Sequence, residues 1–401
     1  MDKERVELLA PAGDLNRLKI ALHYGADAVY IGGPLLNLRA NAVNFTFEDI
    51  LEGVKFAHNL GKKVYVTVNI VLHNKDALEV LSYVKKLDEL NVDGIIVSDP
   101  AVIKIAKENT KLNIILSTQQ SLLNYEALSF YEKEGIKRVV LGRECTRDEI
   151  KEIIDKLNIE VECFIHGAMC ACYSGRCVMS NFLTNRDANR GGCSQICRWN
   201  FDLYDENKNI IKGEKDFTFC SKDLCMIKYI PDMIDIGIKS FKIEGRMRSS
   251  YYIATVVSIY RKVIDEYYRD KDNYKLNDEY VKVLDRCANR DSVVQFYNGV
   301  YDSTCSYYNN RVEVSNQDYL GIVLGYDKEN KFVILEQRNN FKVLDEVVIF
   351  GPNHEDICFR IEKMYNNDND VITSAPHPRE VIKIYLDKEV EKDDMMRVSF
   401  K

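Results

Sequence analysis

The first 270 residues alternate short apolar segments with amphipathic ones, and this alternation restricts the chain to a repeating β/α architecture. Eight segments are apolar through their middle and have the length of buried strands: Val6–Pro11, Ala26–Ile31, Lys63–Ile70, Gly94–Ser98, Asn113–Ser117, Arg138–Leu141, Val161–Ile165 and Ser240–Ile243. Segments of helical periodicity accompany them: Asp14–Tyr24, Thr46–Leu60, Lys75–Leu90, Ala101–Asn109, Tyr125–Glu134, Thr146–Leu157, Ile230–Ile236 and Ser249–Asp270. Several of these helices pass into the next strand through a Gly or Asn, which is typical of β/α units.

Eight such units predict an α/β fold, a (β/α)₈ barrel of the TIM type. A doubly wound open sheet is the alternative, but it usually has fewer units and a glycine-rich phosphate loop, for which Gly32-Gly33 is too short a match. Beyond about residue 295, short strands of alternating polarity separated by tight turns predict a small C-terminal antiparallel β-barrel. The predicted domains are therefore a barrel over residues 1–275, a helical linker over 276–300 and a β-barrel over 301–401.

The composition, with 46% hydrophobic and 29% charged residues, is ordinary for a soluble globular protein. We find neither an export signal nor an apolar run of membrane-spanning length, so the expectation is a cytoplasmic protein without a membrane partner. The net charge of −7 argues against a generally basic nucleic-acid binder. Between Cys170 and Asn200, however, the only acid is Asp187 while four residues are arginines, and this basic stretch suits an anionic ligand.

Seven cysteines lie in a segment, residues 167–229, that is inserted after the seventh predicted strand. Five of them are the candidate cluster ligands, Cys170, Cys177, Cys193, Cys197 and Cys225, and Cys172 and Cys220 are additional. Clustered cysteines in a chain without an export signal hold a metal more often than they form disulfides. They include no CxxC pair of the kind that zinc ribbons use, whereas loosely spaced thiolates suit a larger iron–sulfur cluster. The segment leaves the C-terminal end of a barrel strand, which is the face that carries the active site in barrel enzymes. The alternative is a set of buried structural thiols.

Five motifs run from the first predicted strand to the eighth: Glu7-Leu-Leu-Ala-Pro-Ala-Gly-Asp14, His166-Gly-Ala-Met-Cys170, Ser174-Gly-Arg-Cys177, Ser221-Lys-Asp-Leu-Cys225 and Phe241-Lys-Ile-Glu-Gly-Arg-Met247. In these motifs the chain resembles the collagenase-like peptidase family, whose better-understood members are prephenate-dependent RNA hydroxylases. The resemblance extends over nearly the whole chain. The tail motifs Tyr319-Leu-Gly-Ile-Val323 and Ser374-Ala-Pro-His-Pro378 are similar to the branch that acts on tRNA.

The resemblance implies an enzyme that hydroxylates the wobble uridine of the tRNA anticodon to 5-hydroxyuridine without oxygen. It implies prephenate as co-substrate and a 4Fe-4S cluster as cofactor. The resemblance places cluster ligands at Cys170, Cys177 and Cys193, with Cys225 as the fourth ligand and Cys197 as the alternative fourth ligand. It also leaves room for a paralogous partner subunit.

Polar residues that follow predicted barrel strands are candidates for the chemistry. Arg143 and Arg246 are expected to bind the carboxylates of prephenate, because a guanidinium group presents a planar fork to a carboxylate. His166 and Glu244 are the candidates for proton transfer. Candidates for substrate binding are Arg39, Asn69, Gln119, Lys242 and Arg176. Structural ion pairs are the alternative for each charged group, and pairing of Glu244 with Lys242 or Arg246 would lower its pKa.

Other functions stay open at this point. A peptidase would use Cys170 and His166 as nucleophile and base, although the sequence has neither HExxH nor GxSxG. A hydroxylase of rRNA or of a quinone precursor is a variant of the leading hypothesis. A metal-stabilised RNA-binding module without catalysis is a further alternative. Whether the protein modifies RNA or only binds it, the aromatic residues Tyr173, Phe182 and Trp199 are candidates for stacking on an unpaired base.

Overall fold

The structure, a computed structural model, describes residues 5–38, 44–211, 217–288, 290–299, 301–309 and 316–400. Seven parallel strands pair in chain order: β1 (Glu7–Pro11), β2 (Ala28–Gly32), β3 (Lys63–Val68), β4 (Gly94–Val97), β5 (Asn113–Leu116), β6 (Arg138–Val140) and β7 (Glu160–Gly167). The insertion, residues 167–229, then contributes β8 (Phe217–Ser221) and β9 (Asp223–Cys225). The next strand, β10 (Ser240–Ile243), pairs in parallel with both β1 and β7 and closes the barrel. The predicted (β/α)₈ barrel is therefore confirmed.

In the described part of the chain, eight helices cover the barrel at the predicted positions: α1 (Leu15–His23), α2 (Phe47–Asn59), α3 (Asn74–Glu89), α4 (Pro100–Asn109), α5 (Tyr125–Lys133), α6 (Arg147–Lys156), α8 (Ile230–Asp235) and α9 (Ser250–Arg269). The short helix α7 (Met179–Thr184) in the insertion was not predicted, and α10 (Asp278–Cys287) lies in the predicted helical linker. Local chemistry sets several of their starts. Thr46 and Thr146 each begin a capping box, with Asp49 and Glu149 respectively as the reciprocal partner. The long helix α9 is buried along much of its length and packs against β1 and α1.

Parallel pairing brings the C-terminal ends of the barrel strands to one face, which we call the mouth. In the register of β10 with β7, Ile243 lies beside His166. The insertion returns to this point, because β9 pairs antiparallel with the end of β7 and sets Cys225 opposite His166. The last residues of β7, β9 and β10 therefore meet at the mouth.

The C-terminal part is an antiparallel sheet, as predicted. After two short strands, β11 (Ser292–Val293) and β12 (Ser306–Asn309), the chain forms β13 (Tyr319–Asp327), β14 (Phe332–Gln337), β15 (Glu346–Phe350), β16 (Ile357–Arg360), β17 (Met364–Tyr365), β18 (Val371–Ile372), β19 (Val381–Tyr385) and β20 (Met395–Val398). These eight strands pair in the order β16-β15-β20-β13-β14-β19-β17-β18. The sheet curls around its own apolar core as a half-barrel.

Aromatic residues join this sheet to the barrel. Tyr251 of α9 stacks on Tyr319 of β13, with ring centroids 4.8 Å apart and an interplanar angle of 11°. The Tyr24 hydroxyl donates a hydrogen bond of 2.9 Å to the backbone carbonyl of Asp393. The half-barrel is thus packed against the outside of the barrel at α1 and α9. In the described ranges, no helix is both long and apolar enough to cross a membrane.

Candidate functional site at the barrel mouth

The first part of the insertion is fastened to the ends of β5 and β6. The backbone amide of Ser174 donates to Glu144 Oε1 at 2.8 Å, and its hydroxyl lies 3.2 Å from the same oxygen. Gly175 has a positive φ of 75°, and a Cβ there would lie 2.0 Å from the carbonyl oxygen of Gln119. Only glycine permits so close an approach in this backbone conformation. The Cys170–Cys177 segment is consequently held over the mouth.

The second part of the insertion is fastened to the first turn of α3 and to the loop that precedes it. Arg190 donates hydrogen bonds to the Asp76 carboxylate at 2.6 and 3.1 Å. This pairing lowers the pKa of Asp76 to about 2. The side-chain amide of Asn189 donates to the carbonyl of Cys177 at 3.0 Å, which ties the two parts of the insertion together.

Four of the five predicted cysteines form one electrostatic group, and Cys172 joins them. Burial raises the pKa of Cys172 to about 12, and its neighbours Cys177, Cys170 and Cys197 raise it further. Burial likewise raises the pKa of Cys197 to about 11, with contributions from Cys170 and Cys193. The thiols of Cys172 and Cys197 therefore stay protonated at neutral pH unless a cation compensates their charge.

Cys225 stands outside this group. Its sulfur lies 3.7 Å from the Tyr260 hydroxyl, and burial is the main cause that raises its pKa. The remaining thiol of the insertion, Cys220, is buried on β8.

An all-thiol donor set at the mouth fits the chemistry of a cluster bound by cysteines. Within the parts of the chain that the structure describes, no three His, Cys, Asp or Glu side chains converge tightly enough for a single metal ion. A cluster of several irons is larger than one ion and is served by more widely spaced thiolates.

Arg143 and Glu244, two of the predicted catalytic residues, are neighbours at the mouth. Arg143 Nη2 lies 3.9 Å from Glu244 Oε2, while Nη1 donates to the carbonyl of Ala168 at 2.6 Å. The Arg143 guanidinium also lies over the Phe164 ring, 3.8 Å from its centroid. Glu244 is within 3.4 Å of the Tyr30 hydroxyl. A cation and a carboxylate therefore face the space beneath the cysteine segment.

His166 is buried and neutral. Its Nδ1 lies 3.3 Å from the Tyr260 hydroxyl. Burial lowers the pKa of His166 to about 3, and the charge of Arg248 acts in the same direction. At neutral pH its ring can donate or accept a hydrogen bond, but it lacks the second ring proton that a charged imidazolium would give as an acid.

Arg246, which follows β10, and Lys242, which lies on β10, are both more deeply buried than we expected for residues that bind a substrate. Arg246 is buried, with Nη1 3.4 Å from Thr67 Oγ1 and Nη2 3.3 Å from Asn37 Oδ1. Lys242 lies inside the barrel, and its amine is 2.7 Å from the fully buried Glu162. The Lys242–Glu162 pair joins the neighbouring strands β10 and β7, whereas Arg246 reaches across to Thr67 on β3 and to Asn37 after β2.

The other predicted binding residues are dispersed. Asn69 donates to Ser117 Oγ at 3.3 Å, and its Oδ1 is buried without a hydrogen-bond partner among the described residues. Gln119 is half-buried under Gly175, and Arg176 is exposed on the insertion. Arg39 lies outside the described residues.

Asp223 is the centre of a group that our sequence analysis did not identify. Its buried carboxylate lies 2.8 Å from Arg290 Nη2 and 3.3 Å from Arg248 Nη2. Burial raises the pKa of Asp223, although the charges of Arg290, Arg248, Arg198 and Arg143 oppose that shift. The sequence signal was weak, because these arginines come from the insertion, the barrel and the linker.

Comparison with known proteins agrees with the architecture. The family model "Peptidase family U32" matches residues 13–305, and "Peptidase family U32 C-terminal domain" matches residues 315–397. The chain is 48% identical to "tRNA hydroxylation protein P1" of Bacillus subtilis, over 98% of this chain and 95% of that one. It is 36% identical to "Uncharacterized protease MJ0090" of Methanocaldococcus jannaschii, over 94% and 95% of the two chains. It is also 32% identical to "tRNA hydroxylation protein P" of Haemophilus influenzae, over 92% and 90%.

These matches cover the barrel, the insertion and the curled sheet together. The chain, with its barrel, the cysteine-rich insertion over the mouth and the C-terminal sheet, therefore belongs to peptidase family U32.

Proposed function

We propose that this protein is an enzyme that hydroxylates tRNA. Relatives that share its full length are named for tRNA hydroxylation. The observation that carries the proposal is that the cysteine-bearing insertion is anchored at the ends of the barrel strands, through Ser174 to Glu144 and through Ala168 to Arg143, at the same face as Glu244. Barrel enzymes perform their chemistry at this face.

In its full form, the proposal is oxygen-independent conversion of the wobble uridine to 5-hydroxyuridine with prephenate as co-substrate. Cys170, Cys177 and Cys193 would hold a 4Fe-4S cluster, with Cys225 or Cys197 as the fourth ligand. The grouping of the thiols supports Cys197, while the family resemblance supports Cys225. When bound, such a cluster supplies one-electron chemistry at the mouth.

The chain's own residues take defined parts in this proposal. Arg143 binds a carboxylate of the co-substrate, because its guanidinium is fixed in place by the Ala168 carbonyl and the Phe164 ring. Glu244 is the base, since its carboxylate faces the same space and can accept a proton. His166 orients a neighbour through a hydrogen bond rather than acting as an acid, because its pKa is lowered.

The outer surface of the insertion offers contacts for RNA. Phe182 of α7 is 85% exposed, and Tyr173 and Trp199 are exposed as well. Arg176 and Arg186 lie on the same segment. Aromatic rings stack on unpaired bases, and arginines contact the phosphates beside them. An anticodon loop with its wobble base turned towards the mouth suits this surface.

The decisive experiment measures the iron–sulfur content of the protein and the hydroxylated nucleoside in tRNA separately. Anaerobically purified protein should contain about four irons and four sulfides per chain. Nucleosides from the tRNA of a deletion strain should lack the hydroxylated uridine, and purified protein should restore it only when prephenate is added. Unchanged tRNA in the deletion strain would contradict the proposal, whatever the metal content. Copurification in cytoplasmic extracts would test for a paralogous partner subunit.

Peptidase activity is the competing function, because one full-length relative is named a protease. A cysteine peptidase needs a thiol within hydrogen-bond reach of a histidine. Here the His166 ring contacts Tyr260, and its lowered pKa makes it a poor base. Hydrolysis of a gelatin substrate that persists after the iron is removed would favour the peptidase.

A further inference from the structure

The group around Asp223 holds more positive than negative charge. Among the described residues, four guanidinium groups act on this carboxylate: Arg143, Arg198, Arg248 and Arg290. The described carboxylates within 4 Å of these four groups are Asp223 and Glu244. Two positive charges are therefore left over in a region that is largely shielded from water.

Such an excess is unfavourable unless an anion compensates it, because a charge removed from water without a partner loses several kcal/mol of solvation. Arg290 is the clearest case, since its side chain is only 3% exposed. Its Nη1 is buried and has no hydrogen-bond partner among the described residues, and the same is true of Arg143 Nε. Buried donors of this kind normally have an acceptor.

The group lies at the mouth. Asp223 begins β9, the strand that pairs with the end of β7, and Arg248 follows β10. Arg198 comes directly after Cys197 in the insertion, and Arg143 faces Glu244. An anion among these arginines would lie between the thiol group and the ends of the barrel strands.

The burial of the group selects the kind of anion. A guanidinium that is only 3% exposed favours a small anion over the backbone of a folded RNA, and each phosphodiester carries only one charge. Several planar guanidinium forks match the two flat ends of a dicarboxylate, and its two charges equal the excess.

We infer that Arg290, Arg248, Arg198 and Arg143 form the binding site for both carboxylates of a small dicarboxylate co-substrate. Asp223 holds the arginines in position while the site is empty. The inference rests on the proposed function for the identity of the ligand, but not for the existence of the site.

The test is calorimetric titration of the intact, anaerobically purified protein with prephenate, succinate and inorganic phosphate, without RNA or turnover. The Arg290→Gln variant should bind the two dicarboxylates about 10- to 100-fold more weakly, as expected for the loss of a charge-assisted hydrogen bond. Arg290→Lys should be intermediate, because an amine keeps the charge but not the fork. Arg269→Gln, an exposed arginine at the end of α9, is the control and should bind normally.

A second variant guards against misfolding. The double variant Asp223→Asn with Arg290→Gln removes the ion pair without leaving a buried carboxylate unpaired. It should fold, and its binding of dicarboxylates should be weakened as in the single variant. Unchanged dicarboxylate binding in either variant overturns the inference. Tighter binding of phosphate than of the dicarboxylates also overturns it. So does a result in which the variants lose affinity for an anticodon stem–loop RNA but not for the dicarboxylates. A loss of iron in parallel with binding would assign the arginines to the metal centre instead.

Failure of the proposed function gives a different pattern. If the protein binds dicarboxylates through Arg290 but leaves tRNA unmodified, the binding site is supported and the proposed tRNA hydroxylation is contradicted.

Discussion

Arg190 and Asp76 join the insertion to the barrel through a two-point ion pair, with hydrogen bonds of 2.6 and 3.1 Å. Both side chains are mostly buried, at 18% and 15% exposure. Arg190 also donates to the carbonyl of Val71 at 2.6 Å. The position of the cysteine-bearing segment thus depends on a contact between residues far apart in sequence.

Asp76→Asn should destabilise the protein by about 1–2 kcal/mol at neutral pH, because it removes a charge-assisted hydrogen bond. The pKa of Asp76 is lowered to about 2, so the pair stabilises the fold fully above the ordinary carboxyl pKa of 3.8. The difference between wild type and variant should shrink as the pH falls from there towards 2. Urea unfolding at several pH values measures it. Asp148→Asn, at a 93% exposed position, is the control and should change little.

Substitution of Cys170, Cys177 or Cys193 by Ala should abolish iron binding under anaerobic reconstitution, since each removes a proposed ligand. Of Cys197→Ala and Cys225→Ala, one should lose iron and the other should retain it, which identifies the fourth ligand. Cys358→Ala, on the exposed face of the C-terminal sheet, should bind iron normally. Full iron content in all the single variants would contradict a cysteine-bound cluster.

His166 and His354 should titrate in opposite ways. The pKa of His166 is lowered to about 3, so its ring should stay neutral from about pH 5 to 9. Burial favours the neutral ring of His354, but the hydrogen bonds to Asp394 and to the Glu355 backbone, together with the charges of Asp394 and Asp356, outweigh it and raise the pKa of His354. NMR of the imidazole protons should show His354 changing charge above pH 6.5 and His166 unchanged. An inflection from His166 near neutral pH would restore it as a candidate acid.

Lys242→Met should destabilise the barrel by about 3–5 kcal/mol, because it leaves the fully buried Glu162 without its nearest cation. Replacing both residues, as Lys242→Met with Glu162→Leu, should recover much of that loss. Lys86→Met removes an exposed pair with Glu89 and should change stability by less than about 1 kcal/mol. Denaturant unfolding of the four proteins completes the comparison. Equal losses in the single and double variants would show that the ion pair has no structural role.

Phe182→Ala should weaken tRNA binding by about 1–3 kcal/mol if its ring stacks on a base. Phe130 of α5 is also highly exposed, at 61%, but it lies on the outside of the barrel. Phe130→Ala is therefore the matched control and should bind tRNA as the wild type does. Filter binding of an anticodon stem–loop would measure both. Equal affinities of the two variants would remove α7 from the RNA surface.

The barrel was predictable because each strand carries its own apolar signal. Ser240–Ile243, for example, was predicted with the bounds that the structure shows. Side-chain directions beyond the strand ends were harder to predict. Arg246 remains a candidate for binding the carboxylates, but its contacts with Thr67 of β3 and with Asn37 in the loop after β2 depend on other parts of the barrel.

The residues that analysis of the sequence missed are those whose importance arises only from tertiary contacts. Arg290 lies in a predicted linker without any motif, and its ion pair with Asp223 joins that linker to the insertion. The same holds for the thiols. Spacing grouped Cys225 with the others, but whether a thiol points to the group or to Tyr260 depends on how β9 pairs with β7.

The chain contains one tryptophan among 24 tyrosines, and Trp199 lies in the insertion directly after Arg198. Its indole is half-exposed. Because tryptophan can be excited selectively, the fluorescence of the unlabelled protein reports on the insertion alone. Loading of metal, arrival of a small anion and docking of RNA all take place near this residue in our proposals. A single optical signal can therefore time these events against one another and reveal the order in which the site is assembled.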